Sequence, residues 1–423
     1  MSTIAGTSPD TQAILLLTAP LSLGGNAGAS REAKPLSPAE YRSLALALKT
    51  AGLRPGELLA PGSEGLLRGL VADLDSSRLT ALLARGFRLA QAVDRWQSRS
   101  IWVISRADPQ YPERLKRRLR ELSPPVLYGC GSGSLLASGG LAVVGSRSAS
   151  AQTLEFVDDV ARLAAAASVA VISGGAKGVD RAAMCGAISR AGCAVGLMAD
   201  QLERAVLDRA YAEAIREGRL LLVSPYDPAA PFVVGHAMDR NKLVYALSDA
   251  ALVACAEHKK GGTWAGAEEQ LRKYRVVPVF VSRSCATAKV ADSLTEMGAM
   301  DWPAPMSSDG LRALMSAAPP QAAAVSVQPS LFAGPGGGPP QPISMAATEI
   351  RLSHADQIFD TAARSIMLLL DQPKSAAALA KELRVTTPQA TAWLKKLVSE
   401  GAVAASAGRS RKYQRASGGL FPT

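Results

Sequence analysis

At 423 residues and 48% hydrophobic composition, the chain is long for one average domain and carries enough apolar material for most of it to fold. A net charge of +11 and a pI near 9.6 point to an anionic partner, nucleic acid before a membrane surface. The five cysteines form no CxxC pair, and His236, His258 and His354 lie far apart; they read as ordinary residues of a reducing cytosol, with no metal and no cofactor expected.

The first 35 residues hold an apolar run, AILLLTAPL, and then a Gly/Ala/Ser-rich loop. The run has no basic segment before it and carries Asp10 upstream, which argues against a secretory signal. No stretch reaches the length of a membrane span, so a cytoplasmic location and no membrane partner are expected. From Pro38 to about Gln97 the periodicity is helical, with Ser37 and Ser76 or Ser77 as N-caps and Gly52 as a helix stop. A basic run follows at Arg114, Lys116, Arg117, Arg118 and Arg120, and reads as a solvated helix face.

The middle has another rhythm. Apolar strands LAVVGS, SVAVISGG, CAVGLMA, RLLLVSP, AALVACAE and VVPVFVS alternate with helical runs at 152–166, 179–191, 201–217, 236–247 and 264–273. That pattern predicts βαβ units and a parallel sheet covered on both faces. A Pro/Gly/Ala/Gln-rich linker occupies 303–345. Three short helices and a candidate hairpin come after it, with Ser375 as one cap, Thr387 before Pro388 as another, and Gly401 as a stop. This order resembles a winged helix. In it Trp393, Leu394 and Leu397 read as core, while Lys395, Lys396, Arg409, Arg411, Lys412 and Arg415 suit phosphate contacts better than base readout. A dimer or partner interface stands beside DNA binding for this part.

The expected fold class is therefore α/β, a Rossmann-like parallel sheet core with an N-terminal helical domain and a C-terminal winged-helix domain. The expected boundaries are 1–100, 101–302, a linker at 303–345, and 346–416.

Ligands of open parallel sheets bind outside the carboxyl ends of the strands. Four loops arise there: GSRSAS, SGGAKG, the long SPYDPAAPFVVGHAMDRNK, and EHKKGGTWAGAEE. Three of them set backbone N–H groups at a helix start, where anions are favoured. They carry Arg147, Lys177, Arg240, Lys242, Lys259 and Lys260, of which Arg147 can grip a phosphate bidentately and Lys177 acts as a point charge. None is GxGxxG or GxxxxGK[ST], which disfavours a dinucleotide dehydrogenase or a Walker ATPase. Asp180 reads as a brace at a helix start, Asp239 and Arg240 as a local ion pair, and Asn241 as a loop-holding residue. Trp264 either stacks on a base or packs its helix onto the sheet.

The stretches GLAVVGSRSAS, VISGGAKGVDRAAMCGAI and RNKLVYALSDAALVACAEHKKGGTWAGAEEQLRK resemble the core of the DNA-processing protein A (DprA/Smf) family, and DPQYPERLKRRLRELSPPVLYGCGSGSLL resembles the family's approach to its first strand. The resemblance implies a SAM-like N-terminal domain and a non-enzymatic protein that protects single-stranded DNA and loads a RecA-type recombinase in natural transformation. It implies phosphate contacts from Gly145, Ser146 and Arg147, from Ser173, Gly174, Gly175, Lys177 and Gly178, from Arg240, Asn241 and Lys242, and from Gly261, Gly262 and Thr263. Val179 stands where some members place a larger residue near the bases. The expected partners are single-stranded DNA, the recombinase and a second copy of the chain.

The sequence departs from the family pattern at Met184, where histidine is usual, and in the fourth loop, which is closer to the GGxGTxxE turn of LOG-type nucleotide hydrolases. An N-glycosidase of that type is the enzymatic alternative and would need Glu268 or Glu269, of which one at most can face a pocket. A regulator or antitoxin paired with a partner toxin in phage defence is the other alternative.

Overall fold

The run AILLLTAPL folds through Thr18 as the end of a helix packed into the body of the protein. In the computed structural model, which describes residues 7–21, 33–60, 62–63, 65, 74–304, 306–316, 366, 369–370, 372–383, 387–399, 403–406 and 412–415, helix α1 (Pro9–Thr18) starts from a Ser8 cap and a proline in its first turn. Ala13, Ile14, Leu15 and Leu17 are fully buried. Its polar residues are all partnered. Asp10 accepts the Gly56 N–H at 2.8 Å and the Arg54 guanidinium at 2.5 Å, while the Ser8 and Thr11 hydroxyls both donate to Asp108. Helix α2 (Pro38–Thr50) begins with a reciprocal capping box between Ser37 and Glu40, and the chain turns away at Gly52, φ +70°. Helix α3 (Ser76–Leu83) corrects one expectation: its cap is Asp75, which accepts from the Ser77 N–H at 2.9 Å, so both serines lie inside the helix. Helix α4 covers Gly86–Gln97.

The sheet comes next. Its strands are β1 (Trp102–Ser105), β2 (Val126–Gly131), β3 (Leu141–Val144), β4 (Val171–Ser173), β5 (Ala194–Leu197), β6 (Leu220–Ser224), β7 (Ala250–Val253), β8 (Val279–Val281) and β9 (Met300–Asp301). They lie in the order β1-β2-β6-β5-β4-β3-β7-β8-β9. Every pair from β6 to β9 is parallel, with Leu141 opposite both Val171 and Ala250 at the centre. Strands β1 and β2 extend the β6 edge antiparallel and lie outside the six expected runs.

The connecting helices follow the strands: α5 (Glu113–Leu119), α6 (Ala151–Ala166), α7 (Val179–Ile188), α8 (Val234–Leu247), α9 (Gly261–Glu269), α10 (Ala288–Glu296) and α11 (Ser308–Ser316). Helices α6 and α7 seal one face, where Val157, Val160, Ala161, Val179 and Ala183 meet Leu141, Val143 and Leu252 in a dry cluster. Strand order steps steadily from β3 to β6, then returns to β7 on the far side of β3. Helix α8, which joins β6 to β7, packs across β4 and β5.

Two helical expectations change. The run 201–217 is two short helices, Leu202–Ala205 and Arg209–Arg216, because Asp208 caps the second through the Ala210 N–H. The basic run at 114–120 is not simply a solvated face. Arg114 pairs with Asp249, and Arg118 donates to the carbonyls of Ala246 (3.0 Å) and Ser248, closing the C-terminus of α8.

Contacts divide the chain into two compact units, one of Thr7–Arg85 with Ala92–Gly334, the other of Met1–Gly6, Gly86–Gln91 and Pro335–Thr423. In the second, α12 (Ala376–Leu383) and α13 (Thr387–Ser399) accompany a three-stranded antiparallel sheet of β10 (Lys374–Ser375), β11 (Val403–Ala405) and β12 (Lys412–Arg415). Its core holds Leu379, Leu394, Leu397, Val403 and Tyr413, with Trp393 packed against them. Ser375 accepts the Ala378 N–H at 3.2 Å. The linker from 317 on, Gly401, Arg409, Arg411 and the side chains of Lys395, Lys396 and Arg415 lie outside the described residues. No helix among the described residues is long and apolar enough to cross a membrane.

Candidate functional site

The loops after β3 and β7 leave the sheet on either side of its switch point, where an open parallel sheet presents a crevice. A cleft of about 850 Å³ lies there, lined by the loop 144–148, by Gly174 and Ala176, by one side of α8, and by the segment 256–265 with Glu268. A recess of about 230 Å³ shares its wall at Arg147, Gly174 and Arg240 and adds Gly175, Lys177, Met198 and Asp200. The end of β5 thus contributes to the site, although only the loops after β3, β4, β6 and β7 were expected to.

Helix starts behave differently around the sheet. Helix α6 is capped by Ser150, which accepts the Thr153 N–H at 3.2 Å. Helix α7 lacks a capping side chain, but its Val179 N–H is donated to the Ser146 carbonyl at 3.3 Å and Asp180 is buried in its first turn; helices α8 and α9 begin at the cleft with no capping side chain. Their first N–H groups and the positive end of each helix therefore favour an anion from outside.

Glycines bring the loops together. Gly178 has φ +88°, and a Cβ there would sit 2.7 Å from the Arg147 carbonyl oxygen, so only glycine lets the second loop lie on the first. Thr263 Oγ1 donates to the Gly145 carbonyl at 2.9 Å, tying the fourth loop to the first. Asn241 Nδ2 donates to the Gly262 carbonyl at 3.0 Å and so holds its loop, as the sequence reading favoured.

Arg240 is the post between these parts. It is 4% exposed and donates through Nη1 to the Leu197 carbonyl at 2.6 Å, while Nε has no partner and the side chain lines both cavities. Asp180 is its charge neighbour, buried and receiving backbone N–H groups of Ala176 and Gly145. Burial pushes the Asp180 carboxyl above its ordinary range against the pull of Arg240, and the same burial lowers the Arg240 guanidinium. Asp239 pairs instead with Lys242 and accepts from the Tyr226 hydroxyl at 3.3 Å, which corrects the expected Asp239–Arg240 pair.

Of the expected contacts, Gly145, Ser146, Arg147, Gly174, Arg240, Asn241, Gly261, Gly262 and Thr263 line the cleft, and Gly175 and Lys177 line the recess. Three do not. Ser173 is fully buried and donates to the Val143 carbonyl at 2.6 Å. The Lys242 side chain is 12% exposed and bound to Asp239. Gly178 supports the loop from behind. Val179 is fully buried in the core and cannot meet a base.

Trp264 packs rather than stacks: it is 4% exposed and its Nε1 donates to Glu268 at 3.0 Å. Glu268 also pairs with Arg272, and Glu269 points to Lys273 at 2.9 Å. Among the described residues no group of three potential metal ligands occurs. The exposed cations of the site are Arg147, Lys177, Lys259 and Lys260, and Arg147 lies over the Phe232 ring at 5.1 Å. Phe232, Val234 and Met238 complete the rim. They escaped the sequence reading because an irregular loop entering a helix gives no periodic signal.

A family model described as DNA recombination-mediator protein A matches residues 102–301. No curated protein matches the chain. Among solved structures, DNA processing protein A from Streptococcus pneumoniae is similar over 66% of this chain and 98% of its own, at 20% identity and a TM-score of 0.47. DNA processing protein A from Helicobacter pylori, described for its single-stranded DNA binding mode, is similar over 48% of this chain and 89% of its own, at 24% identity and a TM-score of 0.39. The molybdenum cofactor carrier protein of Chlamydomonas reinhardtii is similar over 42% of this chain and 94% of its own, at 16% identity and a TM-score of 0.29. The family match begins on the first residue of β1 and ends on the last of β9, so the sheet and its cleft are a domain of the DNA recombination-mediator protein A family.

Proposed function

We propose that the chain binds single-stranded DNA along the cleft and passes the strand to a RecA-type recombinase, without catalysing a reaction on it. One observation carries the reading: two helix starts without a capping side chain, those of α8 and α9, open on one cleft whose exposed cations, with that of the adjoining recess, are Arg147, Lys177, Lys259 and Lys260, against one exposed carboxylate, Glu257, paired with Lys260. An anion with many phosphates uses such a site better than a single small ligand does. The family of the sheet domain and the net charge of +11 support this. The described part of the second unit suits a winged helix, acting on DNA phosphates or on a second copy of the chain. A nucleotide hydrolase is the second reading: Glu269 is paired with Lys273, and Glu268, which lines the cleft, is held by Trp264 and Arg272.

The test is a titration with single- and double-stranded oligonucleotides over a range of salt. A strand preference is expected, with log affinity falling by about 0.7 per neutralised phosphate for each decade of salt. Lys177→Ala and Arg147→Ala should each lower affinity and flatten that slope with the fold intact. Equal affinity for both DNA forms, unchanged in both variants, overturns the proposal.

A further inference from the structure

The rim of the cleft is apolar where its floor is basic. Phe232, Val234 and Met238 are 45%, 63% and 46% exposed, large values for such residues, and all three line the cleft. Val234 and Met238 are four residues apart on α8, hence neighbours on one face, and Phe232 stands beside them just before the helix. The Arg147 guanidinium sits over the Phe232 ring, which fixes a cation at the rim and leaves the rest of the ring open to solvent. We infer that Phe232, backed by Val234 and Met238, is the platform on which unpaired bases of the bound strand stack. This rests on the single-strand reading of the cleft.

Continuity with the cation-lined floor selects this occupant. A strand with its phosphates on Arg147, Lys177 and the helix starts has its bases left over, and an aromatic ring with an apolar lip is the surface beside them. Every base has a π-face, so such a platform is indifferent to sequence. It also accounts for strand choice, since the bases of a duplex are stacked and paired inside the helix. Val179, where a base contact was expected, is buried in the core, and Phe232 supplies an aromatic surface from a different element.

The experiment compares Phe232→Ala, Phe232→Trp and Lys177→Ala against two single strands of equal length, one base-bearing and one abasic, at one salt concentration. Phe232→Ala should lose about tenfold on the base-bearing strand and only slightly on the abasic one. Phe232→Trp should retain affinity, and its fluorescence should be quenched by the base-bearing strand alone. Lys177→Ala should weaken both strands alike. If Phe232→Ala weakens both strands equally, or neither while Lys177→Ala still does, the platform is wrong and the cleft stands. If no variant matters, the single-strand reading falls with it. A Phe232→Ala protein that binds both strands normally but changes its mass in solution makes the rim an interface between copies, which also overturns the platform.

Discussion

Gly174→Ala isolates the post that holds the cleft. Gly174 has no left-handed φ, so its backbone accepts alanine, and any cost comes from what the new methyl meets. An ideal Cβ would overlap Arg240 Nη1 and lie 2.5 Å from Asp180 Oδ2, closer than real Cβ contacts allow. Arg240 must move, losing its bond to the Leu197 carbonyl, and a hydrogen bond to a charged group contributes about 1.5–3 kcal/mol. Moving the buried guanidinium away from the nearby Asp180 charge adds to that, so a loss of about 3 kcal/mol is expected, the upper end of that range. For a unit of roughly 320 residues each kcal/mol shifts Tm by about 1.5 °C, so thermal unfolding should drop by about 4–5 °C. Single-strand affinity should fall with it, because Gly174, Met198 and Asp200 share a recess with the displaced side chain. Gly261→Ala is the control. Nothing lies within 4 Å of its Cβ, and its φ of +79° alone costs about 1 kcal/mol. A Gly174→Ala protein melting within about 2 °C of the parent, or no lower than Gly261→Ala, would refute the reasoning.

Asn241→Ala removes the clamp on the Gly262 carbonyl without removing a charge. Titrations should show weaker single-strand binding with an unchanged salt slope, unlike the lysine and arginine variants. Arg118→Ala should lower stability by about 1.5–3 kcal/mol, since it uncaps the carbonyls of Ala246 and Ser248, whereas Arg117→Ala, at an exposed position of the same helix, should stay within about 0.5 kcal/mol. Denaturant midpoints at constant m-value measure both.

What the sequence reveals here follows from what is local. Strands β3 to β8 are legible because burial on both faces demands unbroken apolar runs. Strand β2 is not, because VLYGCG contains two glycines; yet a Cβ on Gly129 would run into the Trp102 indole of β1, so the glycine that looks like a breaker makes room for that ring. Strand β9 has two residues and leaves no pattern. At the site, glycine pairs before helices mark the loops, but the division between exposed and buried cations is hidden. Arg240 is fixed by a carbonyl 43 residues away and Arg114 by an aspartate 135 away, and no local spacing encodes either partner. Lys242 and Arg240 are two residues apart on one helix, yet one is held by Asp239 near the surface and the other sits inside.

The buried Arg240 has a consequence in time as well as in space. It ties α8 to the end of β5, while Thr263 ties the fourth loop to the first, so the cleft is assembled before any strand arrives. A preassembled site loses little conformational freedom on binding. Encounter is then set by diffusion and long-range charge, and the fit of the loops is expressed in how long a strand stays. Changes at exposed Lys177 should appear mainly in the association rate, and changes at positions that hold the loops in place, such as buried Gly174 and half-buried Asn241, in residence time. On the proposed reading, surface charge would govern capture of a strand and the interior its retention.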